Sequence, residues 1–307
     1  MKVSDYSLDK LVDQAGSYDG FCFDIGSFVV NIKSREQRFL EILQTLYQYF
    51  PVAASDSFID FHVRVSRPSN YRQWIKRQVL FEIDGRMLFE PFPLDHATPL
   101  FEWGLNWCIA TRAHQYLMLH SAVVEKHGKA LILPAFPGSG KSTLSAALAQ
   151  KGWRFLSDEF GLIRPSDGRI VPIPRPTPLK NESIKVVRDF APEAVLGPSF
   201  PKTRKGTIAH LRAPEESVQR LKDLAIPAWI IFPQYKAGSE VELTGVGKPY
   251  ALFKLATNAF NYEVHGTVGF KMVRDLVKSC DCYNLMYSNL DDVIARLDDF
   301  VLVSDET

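Results

Sequence analysis

Residues 129–159, KALILPAFPGSGKSTLSAALAQKGWRFLSDE, leave a chain little freedom in what it can become. The apolar run 130–133 predicts a strand, 134–140 a loop, and the residues from Lys141 onward a helix. A second apolar strand, 154–156, leads straight into Asp158 and Glu159. The loop Ala135-Phe136-Pro137-Gly138-Ser139-Gly140-Lys141-Ser142 has the spacing GxxxxGK[ST], with Ala135 in place of the first Gly. Such a loop wraps a phosphate in backbone N–H groups and points a helix N-terminus at it. Gly138 and Gly140 suit a close-fitting loop that needs positive φ and no Cβ in the way. Pro137, Gly138, Ser139, Gly140, Lys141, Ser142 and Thr143 are therefore the expected nucleotide cradle. Lys141 would reach the outer phosphates and the Ser142 hydroxyl would meet Mg²⁺. The bland alternative is a Gly-containing turn before an ordinary helix; the strand and helix that flank the loop weigh against it.

A nucleotide triphosphate with Mg²⁺ also calls for an acid at a neighbouring strand end. Asp158-Glu159 is the best such pair, one helix and one strand beyond Lys141. A hydrolase or switch would use the pair to position water, whereas a kinase would use a carboxylate to accept the proton of an acceptor hydroxyl. Spacing alone does not separate the two. The charge total, 36 basic against 35 acidic residues, gives no global field that would argue for nucleic acid or an anionic membrane. No apolar run approaches the ~20 residues of a membrane span. The N-terminus lacks the apolar core of a signal peptide. Cys22, Cys108, Cys280 and Cys282 include no zinc-type double pair, so reduced core thiols in a cytoplasmic protein are expected.

Residues 1–95 read as a small α+β unit. Residues 21–32 are expected to be β structure, and Ser34-Arg35-Glu36-Gln37 to be a capping box opening a helix striped by Phe39, Leu43, Leu46 and Phe50. Residues 58–65 alternate, with Ile59, Phe61, Val63 and Val65 inward and His62 on the solvated face. Asp84-Gly85 joins a hairpin. Pro91-Phe92-Pro93 marks the boundary to a second unit, 96–307. That unit opens with a helix whose Leu100, Trp103, Leu105, Trp107 and Ile109 are expected in the core. His120 falls on the strand that pairs with the loop's own strand, either above the phosphate site or as a satisfied core residue. Residues 194–206 show no periodicity and are expected to be a mobile loop, whose Lys202, Arg204 and Lys205 are either a solvated face or a charge clamp. Strands near 207–211, 229–232, 240–244 and 283–287 and helices near 249–260, 267–279 and 291–301 complete the reading.

Residues 117–163 resemble the catalytic core of the HPr kinase/phosphorylase family, on His120, Lys126-His127-Gly128, Gly138-Ser139-Gly140-Lys141-Ser142, Gln150-Lys151-Gly152 and Asp158-Glu159. The whole chain is more similar still to the HPr-kinase-related "kinase A" type associated with exosortase loci. That similarity rests on EWGLNWC (102–108), HQYLMLHSAVVE (114–125), PLKNESI (178–184), KGTIAH (205–210) and NAFNY (258–262). The resemblance implies a P-loop kinase core of the HPr kinase/phosphoenolpyruvate carboxykinase type, an α/β fold with a mixed sheet and flanking helices. It implies an ATP- and Mg²⁺-dependent serine kinase acting on a small protein or peptide, with a free small-molecule acceptor or a non-catalytic nucleotide-binding regulator as alternatives, and leaves self-association open. Asp158 would be the general base, assisted by His120. Lys141 would serve the β- and γ-phosphates, and Ser142, Asp158 and Glu159 the metal. Glu159 stands where the family pattern has a second Asp, which bears on the reverse, phosphorolytic reaction more than on the forward one.

Overall fold

Alternation of apolar and polar residues sets the N-terminal sheet, seen in a computed structural model that describes residues 1–54, 56–135 and 138–305. Strands β1 (Phe21–Asp24), β2 (Val29–Ser34), β3 (Phe61–Ser66), β4 (Gln78–Ile83) and β5 (Arg86–Met87) lie in that order, with β6 (Phe92–Pro93) paired to β4. The pairs are antiparallel except β2 with β3. Helices α1 (Leu8–Gly16) and α2 (Gln37–Leu46) cover this sheet, α2 through Phe39, Leu40, Leu43 and Leu46. Helix α3 (Ala97–Arg112) lies against β4 so closely that a Cβ on Gly104 would sit 2.2 Å from the Phe81 ring.

Three local expectations are corrected here. Ser34 does not cap α2: it is the last rung of the β2–β3 ladder, opposite Val65, and its Oγ accepts the Glu36 N–H at 3.2 Å. The helix starts at Gln37 with no side-chain cap, because the Glu36 carboxylate is taken by Arg67 at 2.9 Å. The strand expected from residue 58 begins at Phe61. Asp60 leaves the pleat by binding Val29 through both its side chain and its N–H, and Phe58 is exposed. In α3, Trp103 is not core: it stacks on Phe89 at 4.9 Å with Arg204 on it as well, while Leu100, Leu105 and Ile109 are buried as expected.

The second sheet runs β11 (Ile170–Val171), β10 (Phe160–Ile163), β7 (Leu117–Lys126), β8 (Lys129–Pro134), β15 (Ile226–Tyr235), β17 (Asp281–Tyr287), β16 (Glu242–Gly245), with β9 (Arg154–Ser157) also paired to β7. It is mixed: β8, β15 and β17 are parallel, while β7–β8, β7–β10 and β16–β17 are antiparallel. Helices α4 (Lys141–Gln150), α7 (Lys248–Ala256), α8 (Tyr262–Ser279) and α9 (Leu290–Asp305) flank it, and α8 bends at Gly266, where the predicted helix from 267 begins. The architecture is thus α/β with mixed sheets and flanking helices. Among the described residues no helix is long and apolar enough to cross a membrane.

A third sheet, β12 (Thr177–Lys180), β14 (Gly206–Leu211), β13 (Phe200–Thr203), follows a proline-rich segment, 172–176, with prolines at 172, 174 and 176, and has α5 (Glu182–Phe190) packed beside it and α6 (Glu215–Gln219) following. Here 194–206 departs from the expected loop. Thr203 pairs with Gly206 in a tight hairpin, with Lys202 at φ +60° and the register broken between Phe200 and Thr203. That bulge shifts the alternation by one, which is why no period two is visible in the sequence.

Candidate active site

Strand β8 ends at Pro134, and after the loop α4 starts at Lys141 with Gly140 in the left-handed region at φ +89°. Two tyrosines fix the loop from the far side. The Tyr287 hydroxyl donates to the Gly140 carbonyl at 3.1 Å, and the Tyr235 N–H donates to the Ser139 carbonyl at 2.9 Å. Gly138, Ser139, Gly140, Lys141, Ser142 and Thr143 all lie along this turn and the first turn of α4. Phe136 and Pro137 fall outside the described residues.

Strand β9 is held in place by a buried ion pair, Arg154 Nε to Glu125 at 2.5 Å on the neighbouring β7. It delivers Asp158 under the start of α4. Ser142 Oγ donates to Asp158 Oδ2 at 2.8 Å and Ser145 Oγ donates to Oδ1 at 3.2 Å. Lys141 donates to the Asp158 backbone carbonyl and lies 3.7 Å from its Oδ1. Lys141 and Asp158 are both buried, so these charges interact with little screening by water.

Glu159 turns the other way. His120, opposite Phe160 on β7, places Nε2 3.4 Å from Glu159 Oε2. Burial would raise the Glu159 carboxyl, but the His120 hydrogen bond and the charges of Lys141, His120 and Lys180 outweigh it and hold the group at about 2. The structure therefore brings His120 to Glu159, Ser142 to Asp158, and Lys141 between the acids and the loop.

The segment NAFNY explains itself here. Asn258 O accepts the His120 N–H at 2.8 Å, and the Phe260 N–H donates to Met118 O at 2.8 Å. The Asn261 side chain accepts from Met118 N–H at 2.9 Å and donates to Tyr116 O at 2.8 Å. Phe260 packs on both His120 and Phe160, at ring distances of 5.4 and 4.9 Å. This joint between α7 and α8 seats the histidine from outside the sheet.

Cavities lie on both sides of the loop. One, at the carboxyl ends of parallel β8, β15 and β17, is lined by Ala135, Ser139, Gln234 and Asn284, the place where open α/β sheets take ligands. The other lies beyond Asp158 and Glu159, toward α3 and the β13–β14 hairpin. Among the described residues no three His, Cys, Asp or Glu side chains gather as a metal cage. The oxygen pair of Ser142 and Asp158 instead fits Mg²⁺, which is commonly held by one or two protein oxygens together with phosphate and water. Sequence reading missed Ser145, Tyr235 and Tyr287. Ser145 stands one helical turn beyond Ser142 and so was legible, whereas the tyrosines come from strands that only the sheet order brings to the loop. Comparison with family models and with curated proteins finds no match for this chain.

Proposed function

We propose that this chain is an ATP-dependent phosphotransferase with a P-loop core of the HPr kinase type, moving the γ-phosphate of ATP to the hydroxyl of an acceptor. The observation that carries the reading is the convergence on Asp158 of Ser142 at 2.8 Å and Lys141 at 3.7 Å, with a second carboxylate beside it that His120 contacts at 3.4 Å. Mg²⁺, when bound, would neutralise phosphate oxygens, and Ser142 and Asp158 supply the hard oxygens for it, with Glu159 within reach as a further contact. The N–H groups at the start of α4 and the Lys141 ammonium hold the phosphates. Their charge would otherwise repel both carboxylates. The acid pair lies on the side of β9 and β10, so the nucleoside would extend the opposite way, over the ends of β15 and β17. Asp158 takes the proton of the acceptor hydroxyl in this reading. The His120–Glu159 contact favours a second assignment within the same reaction, in which Glu159 is the base. A small protein or peptide carrying a serine is the acceptor class that the resemblance suggests.

The test is phosphoryl transfer from labelled ATP by the full-length chain and by Lys141→Ala, Asp158→Asn and Glu159→Gln. Lys141→Ala should cost roughly 10²–10³ in rate, as loss of one preorganised charge does. Asp158→Asn should bind ATP normally yet lose ~10²–10⁴ in transfer, whereas a loss of that size confined to Glu159→Gln would move the base to Glu159. Normal turnover in both Lys141→Ala and Asp158→Asn would overturn the kinase reading.

A further inference from the structure

The cavity beyond the acid pair has a volume of about 160 Å³. Its floor is Ser157–Phe160, and its walls come from α3, the proline-rich segment before β12, and the β13–β14 hairpin. The charges around it do not balance. Each acid on its wall already has a partner: Glu102 has Arg175 at 2.6 Å, Asp158 has Lys141 at 3.7 Å, and Glu159 has His120 Nε2 at 3.4 Å. Lys180, Arg204 and Lys205 line the same space and form no ion pair among the described residues, although Glu159 and Asp158 attract Lys180 at longer range. Burial first, and then the charge of Lys205, push the Lys180 ammonium toward its neutral form against the opposing pull of Glu159 and Asp158.

Two buried polar atoms belong to residues on its wall. Ser157 Oγ and His210 Nδ1 have no hydrogen-bond partner among the described residues. Buried polar groups are nearly always paired, so groups left over at one cavity call for a partner there. The remaining wall is apolar and aromatic, including Trp103, Phe160, Ile173 and Ile208. A volume of about 160 Å³ lies below the ~300 Å³ at which sites for drug-sized ligands begin, and the Asp158 it reaches is 5% exposed. A serine on a protein would have to bring its backbone into this space. A small molecule would not.

Resting on the kinase reading above, we infer that this cavity is the acceptor site, and that the acceptor is a small hydroxyl compound carrying its own carboxylate or phosphate group, held by Lys180, Arg204 and Lys205. In the step, the acceptor hydroxyl oxygen forms a bond to the γ-phosphorus of ATP. The bond from that phosphorus to the β,γ-bridging oxygen breaks, with its electron pair leaving on ADP. The hydroxyl proton passes to the active-site carboxylate and then to water.

The experiment incubates the full-length protein and labelled ATP with an extract of the cells that make it, separated into a deproteinised small-molecule fraction and a macromolecular fraction. Label should appear in the small-molecule fraction, in a product whose dephosphorylated form still binds an anion exchanger. Its elution beside glycerate or beside glycerol 3-phosphate standards tells carboxylate from phosphate. With that purified acceptor, Arg204→Gln and Lys205→Gln should each raise its KM roughly tenfold or more, the loss typical of a hydrogen bond to a charged group. Label in the macromolecular fraction, a neutral acceptor, or unchanged KM in both variants overturns the inference. So does the lack of any labelled product while Asp158-dependent ATP hydrolysis persists. Absence of any turnover dependent on Lys141 and on either Asp158 or Glu159 would instead overturn the kinase reading on which it rests.

Discussion

Gly138 and Gly140 share one backbone conformation, φ +89°, but differ in surroundings, and that difference makes a controlled experiment. Among the described residues, a Cβ on Gly138 would meet nothing within 4 Å. A Cβ on Gly140 would lie 2.5 Å from the Tyr287 hydroxyl and 3.0 Å from the Tyr235 Cβ. Tyr287 is 1% exposed and packs edge-on to Tyr235, so its ring has nowhere to swing. Alanine at either position pays the left-handed penalty of ~1–2 kcal/mol. At Gly140 the displaced hydroxyl also loses its bond to the Gly140 carbonyl, ~1 kcal/mol, and the ring leaves its rotamer at ~0.5–1.5 kcal/mol. Gly140→Ala should therefore destabilise by about 3–4 kcal/mol and Gly138→Ala by about 1–2 kcal/mol. Urea unfolding of both proteins measures the gap. Repeating Gly140→Ala in a Tyr287→Phe background removes the colliding oxygen, so its added cost should fall toward that of Gly138→Ala, with the 3.0 Å approach to the Tyr235 Cβ remaining. Equal costs for the two glycines, or simple additivity with Tyr287→Phe, would refute the steric argument.

Two further outcomes follow from the buried charges. Glu102 accepts from the Tyr47 hydroxyl and from Arg175, each at 2.6 Å, so Glu102→Gln strands the buried Arg175 and should cost ~3–5 kcal/mol of stability by urea unfolding. Paired replacement of Glu102 and Arg175 by apolar residues of similar volume should recover most of that loss. Glu159 sits at about 2 when folded against an ordinary 4.5, so its ionised form is favoured by folding. Its contribution is complete above 4.5 and fades as pH falls toward 2. The stability gap between the wild type and Glu159→Gln should accordingly shrink across that window; a gap independent of pH would refute the assignment.

How much the sequence revealed depended on how local each signal was. The strand before the Gly-rich loop, the helix after it and the strand carrying Asp158 were legible because periodicity and glycine placement act over a few residues. So was the outer face of β3, where His62 is exposed. The capping box was misread because Ser34 is claimed by a parallel partner 31 residues downstream, which no local pattern announces. The hairpin at 200–211 was hidden by its bulge. At the site, Lys141, Ser142 and the acid pair could be placed by spacing. That His120 would meet Glu159 follows only from the antiparallel register that sets it opposite Phe160. The wall formed by Trp103 was invisible, since an aromatic at helical spacing reads as core.

The joint that seats His120 has a bearing on synthesis. Met118 and the Asn261 side chain that holds it are 143 residues apart, and the Tyr287 hydroxyl is 147 residues from the Gly140 carbonyl it braces. A ribosome adding about 5–20 residues per second needs on the order of 10 s to cover such an interval. During that time the loop, Asp158 and Glu159 have emerged while both of their distant supports are still unmade. The nascent chain therefore passes through a long interval with its Gly-rich loop unbraced and its histidine unseated, and the candidate site is assembled only as the last strand and helices arrive.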